Sequence, residues 1–372
     1  MSVKKLRIFE IPPLWEPLPP PGYGAIEYLV AAQIEQFIAK GHHVTTLGCA
    51  DSDILGELVS IVPKALNHGS YQDPEVLRMI QFAECQKRAA DFDVIHCHLH
   101  SNTGWLGLPM LAPFAHKTVF SIHTFATDDN RRLVSMFPQA NYVMTSKAHM
   151  KSYDMGFIKD YVHHGIKMED FPFYATPADD VYLGFLGRIR PEKGIHVAIE
   201  TARKLGLPLK IAGRAKPSDM LYFETTIRPH LKHGEVEFIG ELGPIEKAQF
   251  MGNAVAILNP TLIDEPFGLV VIEAMACGTP VLATLNGAMP EIIKDKETGY
   301  LFSPNAELPF TLRDIQQLDR AAIRRHVEDQ FSSENMSDHY LRLFEQVSAH
   351  GKIGPKSNMA MAGNYFQVCS PV

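Results

Sequence analysis

The chain has 372 residues, 46% of them hydrophobic and 21% charged, with a formal net charge of −7 and a pI near 6.2. That length exceeds one ordinary core and predicts two domains of a soluble globular protein. The acidic balance argues against a nucleic-acid-binding face, but leaves room for a few local cations around a phosphorylated small molecule. The five cysteines (Cys49, Cys85, Cys97, Cys277, Cys369) are scattered, with no CxxC pair, which fits buried thiols in a reducing compartment. The N-terminus has no long apolar run and no segment approaches the length of a membrane span. A cytoplasmic protein is therefore expected, with any membrane contact peripheral at the inner surface.

In chain order, Leu6 to Ile11 predicts a first strand, followed by a proline-rich loop ending in Pro21-Gly22-Tyr23-Gly24. Ala25 to Lys40 has helical spacing (Ile26, Leu29, Val30, Phe37, Ile38) and stops at Gly41. Val44–Leu47, Val94-Ile95, Val119–Ile122 and Tyr142–Thr145 are short buried-strand candidates between helix-length segments, a pattern of βαβ units on a parallel sheet. Gly, Pro and acids interrupt the pattern from His163 to Asp180, and the domain boundary is placed there. A second series starts at Tyr182–Leu186 and continues through helix Ile195–Leu205, strands Leu209–Ala212 and Val236–Ile239, and the strand Ala254–Leu258. Beyond Pro309 the chain is helical and polar, and from Gly351 onward it loses periodicity. In open α/β sheets ligands lie beyond the carboxyl ends of the strands, so two such domains are expected to share one cleft.

The most informative stretch runs from Glu265 to Val281, EPFGLVVIEAMACGTPV. Gly268 opens an apolar helix after a strand and a loop, which makes an amide cluster suited to an anion. Glu265 and Glu273 bracket that cluster and can accept hydrogen bonds from hydroxyls, so the expected ligand is a phosphate carried on sugars. Glu273 lies in an otherwise apolar helix, where an unpaired charge is costly, and a ribose hydroxyl is the partner the sequence suggests. Arg188 and Lys193, in the glycine-bounded loop GRIRPEKG, supply donors for a diphosphate. Gly22 and Gly24 allow backbone to approach a ligand closely. His123 closes an apolar strand at the expected cleft.

His96, His98 and His100 in HCHLH share one face of a strand, but the strand is expected to end there and the nearest acids, Asp91 and Asp93, precede it. They are read as cleft-facing histidines, not as a zinc site. Asp51-Ser52-Asp53 lies in a polar loop and is not read as a metal motif. No metal and no cofactor is expected.

These residues match a family. GRIRPEKG, EPFGLVVIEAMACGTPV and the later NGAMPEII, together with DVIHCHLH, SIHTF and PPPGYGAIE, resemble the retaining family 4 glycosyltransferases of GT-B architecture over about residues 3 to 348. The resemblance implies an α/β fold of GT-B type, two Rossmann-like doubly wound domains facing across a cleft. Residues 1–165 are then an acceptor domain, 166–331 a nucleotide-sugar donor domain, 332–348 a crossover helix returning to the first domain, and 349–372 an irregular tail. It further implies that Arg188 and Lys193 hold the donor diphosphate, Glu273 the ribose and Glu265 the sugar hydroxyls. The amides of Phe267, Gly268, Leu269 and Val270 contact sugar and phosphates, His123 approaches the reacting carbon, and Gly22 and Gly24 cover the diphosphate. Two departures are Ala288, where the family often has glycine, and His164 in place of the commoner asparagine.

The implied activity is metal-independent, retaining transfer of a hexose-type sugar from a UDP or GDP sugar to an acceptor hydroxyl. The acceptor is a small molecule, a lipid-linked species or a polysaccharide precursor. Its contacts are expected in the loops Pro12–Pro21, Asn102–Trp105 and Ala126–Leu133. Two alternatives stay open: a non-hydrolysing sugar-nucleotide epimerase, and a sugar-nucleotide sensor that binds without turnover. A dinucleotide oxidoreductase is disfavoured, because no GxGxxG follows the first strand.

Overall fold

A computed structural model of the chain describes residues 4–354 other than Ser101 and His233. Cys369 and the stretch 355–372 of the expected tail lie outside the described residues. The strands form two parallel sheets. The first holds β1 (Arg7–Ile11), β2 (His43–Cys49), β3 (Glu57–Val62), β4 (Val94–Leu99), β5 (Thr118–Ile122), β6 (Asn141–Met144) and β7 (Asp160–Tyr161), in the order β3-β2-β1-β4-β5-β6-β7. The second holds β8 (Leu183–Leu186), β9 (Leu209–Ala212), β10 (Val236–Gly240), β11 (Ala256–Asn259), β12 (Val281–Thr284) and β13 (Gly299–Phe302), in the order β10-β9-β8-β11-β12-β13.

In each sheet the order reverses beside the first strand, between β1 and β4 and between β8 and β11. The loops after those strands therefore diverge and leave a crevice at their carboxyl ends. These central strands are buried on both faces, so their side chains do not alternate between apolar and exposed polar, although β1 and β4 carry the buried polar residues Glu10, His96 and His98. The expected α/β fold with two doubly wound domains is present.

Several elements escaped the sequence. The edge strand β3 is half-exposed, with a serine within its run ELVSIV, and β7 has only two residues, and neither was assigned. Strands β12 and β13 also went unassigned. The stretch Ala126–Leu133, expected as loop, turns helical from Asp128 to Ser135 because Thr127 and Asn130 form a reciprocal capping box. Among the described residues, no helix is long and apolar enough to cross a membrane.

The helix Ser333–His350 starts where the second domain ends and lies against the first. Tyr340, Phe344 and Val347 bury with Ile8, Val94 and Val119 of the first sheet, and the Phe344 ring meets Phe37 of the first helix (Ala25–Ala39) at 5.5 Å. Where the chain passes from one domain to the other, the two linkers pair with each other. Ile166 N donates to Phe331 O at 2.9 Å, and Ser333 N donates to Ile166 O at 2.8 Å.

The domains also meet directly. Thr145 Oγ1 and Ser146 Oγ donate to the Pro266 carbonyl at 2.9 and 2.7 Å. The Glu291 carboxylate accepts the amides of Lys147 and Ala148 at 2.9 and 2.5 Å and lies 3.1 Å from His163 Nε2. Burial works against ionising Glu291, but His163 and those amides outweigh it and hold the carboxyl below its usual range.

The helix Arg320–Gln330 is pinned to the second domain by one buried guanidinium. Arg320 donates to the carbonyls of Tyr174, Ala254 and Gly252 at 2.8, 3.1 and 2.7 Å, and to Thr279 Oγ1 at 2.5 Å. Replacing it leaves several buried acceptors without donors, at about 1–3 kcal/mol each. Arg320→Leu is therefore expected to lower stability by about 3 kcal/mol or more in urea denaturation. A loss below about 1 kcal/mol contradicts this account.

Candidate active site

The second domain contributes two loops that are tied together. After β8, Ile189 is buried and its amide donates to Arg214 O at 3.2 Å, which fixes the middle of the basic loop. Gly194 closes the loop at φ +69, where a Cβ would stand 2.0 Å from Pro260 O. Only glycine lets the loop lie this close to the chain leaving β11. Leu262 N then donates to Glu192 O at 2.8 Å. The result brings Lys193 Nζ onto Glu265 Oε1 as an ion pair, while Glu265 Oε2 is buried without a partner. Arg188, half-buried on the same loop, has no ion pair or side-chain hydrogen bond among the described residues.

Gly268 adopts φ +114 and starts the helix Leu269–Ala276; Val271 N donates to Gly268 O at 3.0 Å, while the Leu269 and Val270 amides ahead of it have no intrahelical acceptor. A Cβ there would sit 2.7 Å from Met289 Cε. The Phe267 ring faces the domain joint, at 5.0 Å from His164 and 5.9 Å from Phe331, so this residue offers the cleft its backbone and not its ring. Leu269 packs against the first-domain core beneath the crossover helix, and Tyr28 of the first helix packs against the second-domain core.

Glu273 occupies the second turn of this helix and is buried, but it is not unpaired. Lys247 Nζ, from the helix Pro244–Asn253, donates to Glu273 Oε1 at 2.7 Å and lies 5.2 Å from the Phe171 ring centroid. The sequence suggested a ribose hydroxyl as its partner, whereas the chain itself supplies a partner in Lys247. Sequence reasoning did not single out Lys247. The one signal available was a lysine facing inward on the helix that precedes β11.

In the first domain, the loop after β1 carries Gly22, which has open space around it, and Gly24, which caps the first helix beside Pro20. His123 follows β5, its amide bonded to Leu99 O at 2.9 Å. Its ring stacks on His164 at 5.3 Å, and His164 in turn meets Phe267, so one ring lies between His123 and the turn that opens the donor-side helix. Burial and the neighbouring His98 and His164 hold His123 well below the usual imidazole range, so it is a neutral ring.

The histidines of HCHLH differ from expectation. Strand β4 continues through Leu99, and His96 and His98 both lie on it, fully buried. Their carboxylate is Glu10, which β1 places in register with His96. Glu10 Oε1 lies 2.9 Å from His96 Nδ1, and Oε2 lies 3.3 Å from His98 Nε2. His96 Nε2 meets Ser121 Oγ at 2.8 Å, Ser121 Oγ meets Tyr340 OH at 2.9 Å, and His98 Nδ1 meets His123 Nε2 at 3.0 Å.

Glu10, His96 and His98 could surround an ion, with ligand atoms within 4.8 Å of one another. Yet all four ring nitrogens already have partners and the group has no exposed surface, so it reads as a hydrogen-bond chain. Asp51 is engaged elsewhere, both carboxylate oxygens accepting the Ala65 amide at 3.1 and 3.0 Å.

Residues 167–314 match the family described as glycosyl transferases group 1. The chain is 26% identical over 282 residues to the D-inositol 3-phosphate glycosyltransferase of Mycolicibacterium smegmatis, covering 65% of this chain and 64% of that relative. It is 32% identical over 176 residues to the glycogen synthase of Mycobacterium tuberculosis, covering 44% and 41%. The matched segments thus span less than two thirds of either relative.

Among solved structures, AviGT4, a glycosyltransferase involved in avilamycin A biosynthesis, superposes with a TM-score of 0.70 at 22% identity, covering 93% of this chain and 98% of that one. HepE of Anabaena, in complex with UDP and glucose, superposes with a TM-score of 0.67 at 15% identity, covering 92% and 100%. At such identities the likeness is one of fold. Residues 167–314 thus match the model of the group 1 glycosyl transferases, and the whole described chain has a two-domain fold of GT-B type.

Proposed function

We propose that the protein transfers a hexose-type sugar from a UDP or GDP sugar to an acceptor hydroxyl, with retention of anomeric configuration and without a metal. The single observation that carries this reading is the pair of lysine–carboxylate contacts, Lys193 with Glu265 and Lys247 with Glu273, on either side of the free amides at Gly268. In this reading residues 166–331 take the donor and residues 1–165 the acceptor.

The donor diphosphate meets Lys193, the unpaired Arg188 and the amides from Phe267 to Val270. Lys193 turning toward phosphate releases Glu265 to accept the sugar hydroxyls, and Glu273 accepts those of the ribose. Cleavage of the glycosidic bond builds negative charge on the departing diphosphate, and these fixed donors stabilise it as it forms. No carboxylate in the site stands out as a nucleophile for a double displacement. Attack from the face of the leaving group, with the phosphate taking the acceptor proton, is the economical route. His123 borders the sugar from the first domain, and Gly22 and Gly24 lie over the phosphates. The AviGT4 and HepE likenesses, and the names of the sequence relatives, support the class of reaction.

Two substitutions test the charge assignment. Arg188→Ala combined with Lys193→Ala is expected to lower kcat/KM for the nucleotide-sugar donor by about 10²–10³ or more, on the scale of removing preorganised donors from a developing anion. Turnover near the wild-type level defeats the mechanism. Conversion of the donor with no acceptor present indicates epimerisation instead, and binding without conversion under any acceptor indicates a sensor.

Glu273→Gln removes a charged acceptor from the ribose while leaving the reacting centre alone. It is expected to raise donor KM about ten-fold or more with little change in kcat, as a lost hydrogen bond to a charged group implies. An unchanged KM in initial-rate measurements rules out the ribose assignment.

A further inference from the structure

The buried chain from Glu10 to His123 has a direction, and that direction decides which nitrogen of His123 carries the proton and which is left as an acceptor. Glu10 and His96 are paired in register across β1 and β4, and His98 and Ser121 across β4 and β5. Side chains two residues apart on a strand share a face, so Glu10, His96, His98, Ser121 and His123 all line one side of the first sheet.

Burial pulls His96 down to about 3 and His98 to about 4, so each is a neutral ring with one N–H and one lone pair. Burial raises Glu10, but its proton, if bound, belongs on Oε1. The Oε2 contact of 3.3 Å to His98 is too long for an O–H donor, which sits at about 2.5–3.0 Å. With Glu10 ionised or carrying that proton, Oε2 remains an acceptor. His98 Nε2–H then donates to it, and the His98 Nδ1 lone pair accepts from His123 Nε2–H. The remaining His123 atom, Nδ1, carries a lone pair; it is buried and has no partner among the described residues.

We propose that Glu10 is a positioning residue for His123: acting through His98, it fixes the imidazole with Nε2–H turned into the domain and the Nδ1 lone pair free. His123 thus meets a ligand as an acceptor of hydrogen bonds, suited to a sugar hydroxyl. Its placement beside the donor sugar rests on the transferase reading above, whereas the tautomer itself does not.

The tautomer is read by ¹⁵N NMR of the full-length, ligand-free protein labelled at histidine, with His123→Gln assigning the resonance. The expected result is a protonated Nε2 and an unprotonated Nδ1 for His123. A protonated Nδ1 overturns the proposal. So does stoichiometric bound metal, because an ion on His98 Nε2 forces the His98 proton to Nδ1 and reverses the bond to His123.

In steady-state kinetics, Glu10→Leu is expected to lower kcat about 10–100-fold with donor KM nearly unchanged. Glu10→Gln, whose amide oxygen can take the place of Oε2, is expected to restore most of it. Unchanged kcat in a folded Glu10→Leu protein overturns the proposal, and if that variant does not fold, the wild-type tautomer still decides it. Absence of transfer by the wild-type protein defeats the transferase reading and leaves the tautomer result standing.

Discussion

The Pro266 carbonyl accepts the hydroxyls of Thr145 and Ser146, two residues of the opposite domain, and the candidate site depends on that contact. Pro266 stands between Glu265, which holds Lys193, and Phe267, whose ring meets His164. Anchoring one carbonyl from across the joint therefore positions the whole turn that opens the donor-side helix. Glu291 acts in parallel, capping the amides of Lys147 and Ala148 and facing His163. The geometry of the candidate site is a property of the domain joint more than of either domain.

Charge inside the second domain follows a consistent rule. A buried carboxylate without a partner is costly, and both glutamates that flank the amide cluster have a lysine instead. These pairs hold both carboxylates and both lysines in place. Arg188 differs, because among the described residues it has no ion pair to give up. The first domain uses the opposite device, a run of neutral imidazoles around one carboxyl group, which transmits orientation without net cationic charge.

Much of the architecture was legible in the residues because burial leaves a pattern. Helix Ile195–Leu205 and strand Leu209–Ala212 fall where the apolar spacing and flanking glycines place them. Strand β4 was read too short, since His96 and His98 interrupt its apolar run. They are tolerated there because Glu10, Ser121 and His123 satisfy them, which a local window does not reveal. Helix Asp128–Ser135 was missed because polar residues hide its short apolar face, and its evidence lies in the capping box.

What the sequence by itself determined was local: glycine-bounded loops after apolar strands, a helix opened by Gly268, and carboxylates on either side of its start. Those depend on backbone conformation and on side-chain spacing within a few turns. Tertiary structure alone decided the partners. Lys247 reaches Glu273 across 26 positions and Glu10 reaches His96 across 86, because helix packing and strand order bring them together. Periodicity encodes which face of an element is buried, but not which charged group from another element will meet it there.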